Sequence, residues 1–136
     1  MNDLTYLYVE DDPMSRDALS LILTRVMKLE NVHVFENSHN FVERVDSLPN
    51  VPDIFLLDIH MEPLTGFEML EILRNNPTYQ NATIIALTAS VMNEEVELLK
   101  NSGFDGVIGK PITVASFPEL LKRIVAGEKV WHVTDM

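Results

Sequence analysis

The stretch "IFLLDIHMEP" (residues 54–63) decides the fold. Its first four residues form a short apolar run that predicts a β-strand buried on both faces. Asp58 follows directly, and burying an ionised carboxylate without a partner costs considerable free energy. We therefore expect Asp58 to lie where the buried strand emerges, close to a cation.

Apolar runs of this kind alternate with longer segments that have helical spacing. The runs lie at residues 4–9, 32–35, 54–57, 83–87 and 107–108. Buried helix faces are predicted at Leu19, Ile22, Leu23 and Val26, and at Met92, Val96 and Leu99. This alternation predicts an α/β fold in which helices cover both faces of a parallel sheet.

Capping signals place the helix ends. Asp12 followed by Pro13 predicts a helix start, and Gly103 and the segment 75–77 predict helix ends. The last helix starts after either Thr113 or Ser116, because Ser116 and Glu119 form a capping-box pattern. Residues 127–136 fit no element and are predicted to be a mobile tail. Trp131 leaves two alternatives open, a docking role for the tail or the start of a linker.

Composition narrows the class of protein. The chain has 136 residues, which predicts one domain, and a net charge of −11, which argues against binding nucleic acid through this domain. It lacks the apolar run of about 20 residues that a membrane span needs. There are no cysteines, so disulfides and thiolate metal sites are excluded, and we expect a cytoplasmic location.

Polar residues follow the predicted strands at their carboxyl ends, where an open parallel sheet binds ligands. They are Glu10, Asp11, Asp58, Thr88 and Lys110. Three carboxylates in one cleft repel each other unless a cation lies among them, and an all-oxygen site favours Mg²⁺ or Mn²⁺. Such a site equips Asp58 to accept a phosphoryl group, with Lys110 neutralising charge and Thr88 donating a hydrogen bond.

Four motifs in this order resemble the receiver domain of bacterial two-component response regulators. They are "YLYVEDD", "IFLLDIHMEPLTG", "IIALTAS" and "VIGKPI", and they span residues 4–112. The resemblance implies a flavodoxin-like, doubly wound, five-stranded parallel sheet with strand order 2-1-3-4-5. It implies a receiver domain over residues 1–126, followed by a tail or linker start at 127–136.

The resemblance also assigns roles to matching positions. Asp58 matches the phosphorylated aspartate, and Thr88 and Lys110 match the family's hydroxyl and lysine. The implied metal ligands are Asp11 directly, Glu10 through water, Asp58, and the backbone carbonyl of His60. Pro111 matches a proline that often follows a cis bond.

A member of this family is a signalling module, regulated by phosphorylation, rather than an enzyme that turns over a substrate. The implied phosphoryl donor is a phosphohistidine on a sensor histidine kinase or a histidine phosphotransfer protein. A downstream protein target is the implied recipient of the signal. The module is either a stand-alone receiver or part of a longer regulator or hybrid kinase.

Two positions, Val107 and Glu62, depart from the family pattern. Val107 occupies a position that is usually aromatic, so we expect signalling to depend on the Thr88 loop or on direct sensing of the phosphate. Glu62 stands where proline is common, and Pro63 comes next. His60 lies two residues after Asp58, and we expect its side chain to influence the rate of dephosphorylation.

Three other functions compete with this interpretation. A phosphatase with an aspartate nucleophile would need a second aspartate at the position of His60. A flavodoxin-like cofactor binder would need a phosphate-cradling loop where the sequence has "EDDPMS". A degenerate receiver would bind partners without phosphorylation, but the set of site residues is complete.

Overall fold

The apolar runs of the sequence form the first five strands of one sheet in a computed structural model, which describes residues 1–89 and 92–132. The strands are β1 (Tyr6–Val9), β2 (Val32–Phe35), β3 (Ile54–Asp58), β4 (Thr83–Thr88), β5 (Gly106–Gly109) and β6 (Val130–His132). The helices are α1 (Pro13–Leu21), α2 (Phe41–Asp46), α3 (Gly66–Arg74), α4 (Asn93–Ser102) and α5 (Phe117–Val125).

The sheet is parallel throughout, with strand order β2-β1-β3-β4-β5-β6. The predicted order of the first five strands is confirmed, and a sixth strand extends the sheet beyond β5. All residues of β1, β3 and β5 are buried, as expected for strands that are covered on both faces.

Two apolar layers, one on each face of the sheet, hold the helices. Successive strand residues point to opposite faces, so Leu7 and Val9 join one layer while Tyr6 and Tyr8 join the other. The first layer contains buried apolar residues of α2, α3 and α4, and the second contains those of α1 and α5. The fold is therefore the doubly wound α/β arrangement that the alternation predicts.

Two predicted core positions are wrong. Val26 is 47% exposed because α1 continues into a π-helical turn, Ile22–Val26, in which the N–H of Met27 bonds to the carbonyl of Ile22. That wider turn rotates Val26 away from the face shared by Leu19 and Leu23. Met92 is 65% exposed because it is the cap before α4 rather than part of the helix.

Capping explains most helix ends as predicted. The Asp12 side chain accepts a hydrogen bond from the N–H of Ser15 at the start of α1, and Gly103 ends α4 with φ of 110°. The last helix takes the later of the two predicted starts, directly after Ser116. The capping box predicted there is absent, since the Ser116 hydroxyl lies 2.8 Å from that of Thr113 instead.

The prediction that residues 127–136 fit no element is wrong for β6. Val130 is buried in the layer that contains α5, and Trp131 packs against the opposite layer. The two side chains therefore lie on opposite faces of the sheet. Lys129 adds an ion pair of 2.7 Å to Asp105 just before the strand. The last residues, 133–136, lie outside the described part of the chain.

No helix within the described ranges has both the length and the apolar character that crossing a membrane requires.

Candidate functional site

Four neighbouring strands end at one edge of the sheet and place the candidate residues together. Asp58 is paired with Leu87 across β3 and β4, and Thr88 is paired with Gly109 across β4 and β5. The N–H of Lys110 donates to the carbonyl of Thr88 at 2.7 Å. Because the register is fixed by these ladders, residues far apart in sequence meet at this edge.

Carboxylates from two strand ends form a cluster. One carboxylate oxygen each of Glu10, Asp11 and Asp58 lies within 4.8 Å of the others. Glu10 is fully buried, Asp58 is 5% exposed, and Asp11 is exposed to solvent. A set of oxygen donors that is open to solvent on one side suits a hard divalent cation that keeps part of its water shell, so the residues present fit Mg²⁺ or Mn²⁺.

Lys110 reaches into this cluster from the end of β5. Its Nζ lies 2.8 Å from Oε1 of Glu10 and 3.4 Å from Oδ1 of Asp58. Burial lowers the pKa of Lys110, but the hydrogen bond to Glu10 and the charges of Asp58 and Glu10 outweigh burial and raise it above its ordinary value. The ammonium therefore stays charged beside the carboxylates.

The surroundings of Asp58 change the pKa of its carboxyl group. Burial, followed by the hydrogen bond and the negative charge of Glu10, raises the pKa of Asp58 to about 7, against the opposing effect of Lys110. The backbone N–H of His60 makes a long contact of 3.4 Å to Oδ1 of Asp58. The ionised form of Asp58 is thus stabilised further by any cation that joins the cluster.

Glu10 is held in place by donors that the sequence analysis did not identify. The Tyr8 hydroxyl donates to Oε1 of Glu10 at 3.2 Å, and the N–H of Asp12 donates to Oε2 at 3.3 Å. Burial and the nearby charges of Glu10 and Asp58 raise the pKa of Tyr8, so its hydroxyl keeps its proton. Tyr8 lies two residues before Glu10 and on the same side of the chain, a period-two signal that could have revealed this contact.

The sequence analysis also missed Glu95, which contacts both Thr88 and His60. The Thr88 hydroxyl donates to Oε1 of Glu95 at 3.3 Å, and His60 Nε2 lies 3.0 Å from the same oxygen. Thr88 is fully buried, whereas the His60 side chain is 59% exposed. Glu95 is on α4, 35 residues from His60, and no local sequence pattern links the two.

The loop after β3 is fixed against the end of that strand. The N–H of Gly66 bonds to the carbonyl of Ile59, and the Ser38 hydroxyl both donates to and accepts from the backbone of Leu64. The bond between Glu62 and Pro63 is cis. The bond between Lys110 and Pro111 is also cis, as the resemblance implies.

The family model for the response regulator receiver domain matches residues 6–124. The chain belongs to this family. The receiver is 28% identical over 127 residues to the signal transduction histidine-protein kinase BarA of Escherichia coli K12, a match that spans 93% of this chain and 13% of that protein. It is likewise 28% identical over 126 residues to the nitrate/nitrite response regulator protein NarL of the same strain, spanning 93% of this chain and 56% of NarL.

The fold of the receiver also resembles solved receiver structures. The receiver domain of the sensor histidine kinase PA1611 from Pseudomonas aeruginosa PAO1 superposes with a TM-score of 0.77 at 22% identity, covering 91% of this chain and 98% of that one. That structure contains a magnesium ion coordinated in its active site cleft. At this level of identity the likeness establishes the fold alone.

Val107 of the receiver lies in the core rather than at the surface. It is fully buried in the layer beside α4, and it is paired in register with Trp131 of β6. The Trp131 side chain packs against the same layer. An aromatic ring is therefore present one strand away from the position that is usually aromatic.

Proposed function

We propose that this receiver accepts a phosphoryl group on Asp58 and thereby changes its binding to a downstream protein. The observation that carries the proposal is the meeting of Asp58, Glu10, Asp11 and Lys110 at one sheet edge, with the carboxylate oxygens within 4.8 Å of one another. A structural role alone does not require buried carboxylates from two strands to face each other. We place this activity in the cytoplasm.

The proposed donor is a phosphohistidine on a sensor histidine kinase or a phosphotransfer protein. The relatives support this class of partner, since BarA is a histidine kinase that contains a matching segment and NarL is a response regulator. The chain covers 13% of BarA and 56% of NarL, so the proposal concerns the receiver domain and not the activities of those longer proteins.

The proposed metal is Mg²⁺, with Mn²⁺ as a substitute. Asp11 would bind it directly, Glu10 through water, and Asp58 and the backbone carbonyl of His60 would complete the protein's share of the ligands. A bound divalent ion neutralises charge on phosphoryl oxygens and on carboxylates. The magnesium ion in the PA1611 receiver supports this choice.

Asp58, Lys110 and Thr88 would have different roles in the transfer of the phosphoryl group. A carboxylate oxygen of Asp58 forms a bond to phosphorus while the bond between phosphorus and the donor breaks, and the donor leaves with the electron pair. The Lys110 ammonium lies close enough to Asp58 to neutralise a phosphoryl oxygen on it. The Thr88 hydroxyl would donate to another phosphoryl oxygen. Because the domain would promote only its own phosphorylation and dephosphorylation, it would act as a regulator rather than as an enzyme that turns over a separate substrate.

The test is incubation with acetyl phosphate and Mg²⁺, followed by intact-mass measurement. The native protein should gain one phosphoryl group, and Asp58→Asn should gain none. Asp17→Asn, which removes an exposed carboxylate on α1, is the matched control and should be modified as the native protein is. An unmodified native protein would identify the chain as a degenerate receiver and overturn the proposal.

A further inference from the structure

Glu95 joins two residues that flank Asp58. Its Oε1 accepts a hydrogen bond of 3.3 Å from the Thr88 hydroxyl and lies 3.0 Å from Nε2 of His60. Thr88 ends β4, His60 follows β3, and Glu95 lies in the first turn of α4. One carboxylate oxygen therefore ties the start of α4 to both strand ends beside the proposed phosphorylation site.

The Thr88 hydroxyl has a single proton to donate. The Glu95 carboxylate only accepts hydrogen bonds, so Thr88 is the donor in this contact. The oxygens of a phosphoryl group on Asp58 are also acceptors. The two acceptors therefore compete for the same proton, and a bond to the phosphoryl group requires that the bond to Glu95 breaks.

We propose that Glu95 is a positioning residue that holds the Thr88 hydroxyl in the unphosphorylated receiver and loses it on phosphorylation. The inference rests on the proposed function of Asp58. Losing this bond removes one link between the first turn of α4 and the end of β4. Occupancy of Asp58 is thereby coupled to the start of α4 through Thr88.

His60 strengthens the coupling because it contacts both Asp58 and Glu95. Its backbone N–H lies 3.4 Å from Oδ1 of Asp58, and its ring lies 3.0 Å from Oε1 of Glu95. The Glu95 side chain is 25% exposed, so this carboxylate is partly shielded from water and its hydrogen bonds are stronger than those of a fully solvated one. Thr88 must give up such a bond before it can serve the phosphoryl group.

Removing Glu95 should therefore speed phosphorylation. Glu95→Ala leaves the Thr88 hydroxyl without this competing acceptor, and its rate of modification by acetyl phosphate at saturating Mg²⁺ should rise about three- to tenfold, the size expected for one ordinary intramolecular hydrogen bond. Glu95→Gln keeps an acceptor oxygen without the charge. Its rate of phosphorylation should lie between the rates of Glu95→Ala and the native protein.

Glu94→Ala is the matched control. Glu94 lies in the same first turn of α4 and is exposed, so its removal costs the same favourable interaction with the helix dipole but leaves Thr88 bonded. Its phosphorylation rate should stay within about twofold of the native rate. Thermal unfolding of both variants separates a change in helix stability from a change in reactivity.

A double-mutant comparison isolates the path through Thr88. In a Thr88→Val background, which removes the hydroxyl at nearly constant volume, Glu95→Ala should change the rate no more than Glu94→Ala does. Amide hydrogen exchange over residues 94–97 should be faster in Thr88→Val and in the phosphorylated native protein than in the unphosphorylated one.

The outcomes distinguish this inference from the proposed function. A native protein that gains no phosphoryl group refutes both. A native protein that is phosphorylated, with Glu95→Ala and Glu94→Ala reacting at equal rates, refutes the role of Glu95 alone. An acceleration by Glu95→Ala that persists undiminished without the Thr88 hydroxyl also refutes it.

Discussion

The Nζ of Lys110 donates a hydrogen bond of 2.8 Å to Oε1 of Glu10, across 100 positions of sequence. This contact links the ends of β1 and β5 and places an internal cation beside the carboxylates that we propose to bind Mg²⁺. Lys110 and a bound metal ion would therefore share the same negative charge. The protein's lysine partly neutralises the cluster before any metal binds.

Lys110→Met should strengthen Mg²⁺ binding while slowing phosphorylation. Without the ammonium, the carboxylates of Glu10 and Asp58 are less neutralised, so the dissociation constant for Mg²⁺ should fall about three- to tenfold. Phosphorylation should slow because no ammonium remains to neutralise the phosphoryl group. Titration calorimetry with MgCl₂ measures the affinity.

Lys100→Met is the control for this change. Lys100 pairs with Glu97 on the surface of α4, at 3.7 Å, so its removal alters the net charge equally without touching the site. Weaker Mg²⁺ binding by Lys110→Met than by Lys100→Met would show that Lys110 supports the metal ligands rather than sharing their charge.

The contribution of Asp58 to the stability of the metal-free protein should fall as the pH rises. The pKa of Asp58 is about 7 in the folded state and about 4 in an unfolded chain. The folded state therefore holds this proton more tightly, and its contribution to the free energy of unfolding is complete below about pH 4 and is lost between about pH 4 and 7. Asp58→Asn lacks this loss and should exceed the native protein in stability at pH 8 by roughly 1–3 kcal/mol.

Urea unfolding without divalent ions at pH 5 and pH 8 measures this difference. The excess stability of Asp58→Asn should shrink at pH 5. Added Mg²⁺ should stabilise the native protein at pH 8 more than it stabilises Asp58→Asn, because binding to the folded state alone favours folding. A gap that is equal at both pH values would contradict the raised pKa.

Gly66 should resist substitution because of its contact with the site strand. A Cβ at this position would lie 2.9 Å from the carbonyl oxygen of Asp58 and 2.7 Å from Cδ1 of Ile59. Since the backbone of Asp58 cannot move without disturbing β3, Gly66→Ala should lower the free energy of unfolding by about 1–3 kcal/mol. It should also slow phosphorylation by displacing Asp58.

Gly106→Ala offers a matched comparison. Its Cβ would come closest to the Cδ1 of Ile124, at 2.6 Å, and that side-chain end can rotate away. Urea unfolding should therefore show a smaller loss for Gly106→Ala than for Gly66→Ala. The reverse order would mean that the loop after β3 adapts more readily than the contact distances indicate.

The last strand should contribute to stability even though no sequence pattern predicted it. Val130 is 5% exposed and packs with the residues of α5, so Val130→Ala should cost about 1–3 kcal/mol. Val114→Ala removes the same atoms from a side chain that is 56% exposed and should cost less than about 0.5 kcal/mol. Equal losses in thermal or urea unfolding would mean that β6 does not pack as described.

Sequence reasoning predicted the elements whose signals are local. The apolar run at β3, the cap at Asp12 and the turn at Gly103 each fix a strand or a helix end within a few residues, and all three are found in the structure. The gathering of Glu10, Asp58 and Lys110 also followed from local signals, because parallel strands bring their carboxyl ends to one edge.

The features that were missed depend on tertiary contacts. β6 has only three residues and is stabilised by pairing with β5 and by the ion pair of Lys129 with Asp105, neither of which a short window reveals. The π-helical turn that exposes Val26 interrupts an otherwise regular helical period. The contacts of Glu95 with Thr88 and His60 join three separate elements, so no single motif contains them.

The dependence of phosphorylation on both Mg²⁺ and Asp11 tests the central claim most directly. Intact mass is followed over time with acetyl phosphate, across a range of Mg²⁺ concentrations and in excess EDTA, for the native protein and Asp11→Asn. We predict that the native protein gains one hydroxylamine-labile phosphoryl group, that EDTA abolishes the gain, and that Asp11→Asn needs at least about tenfold more Mg²⁺ for the same rate. Equal rates with Mg²⁺ and with EDTA would contradict the account.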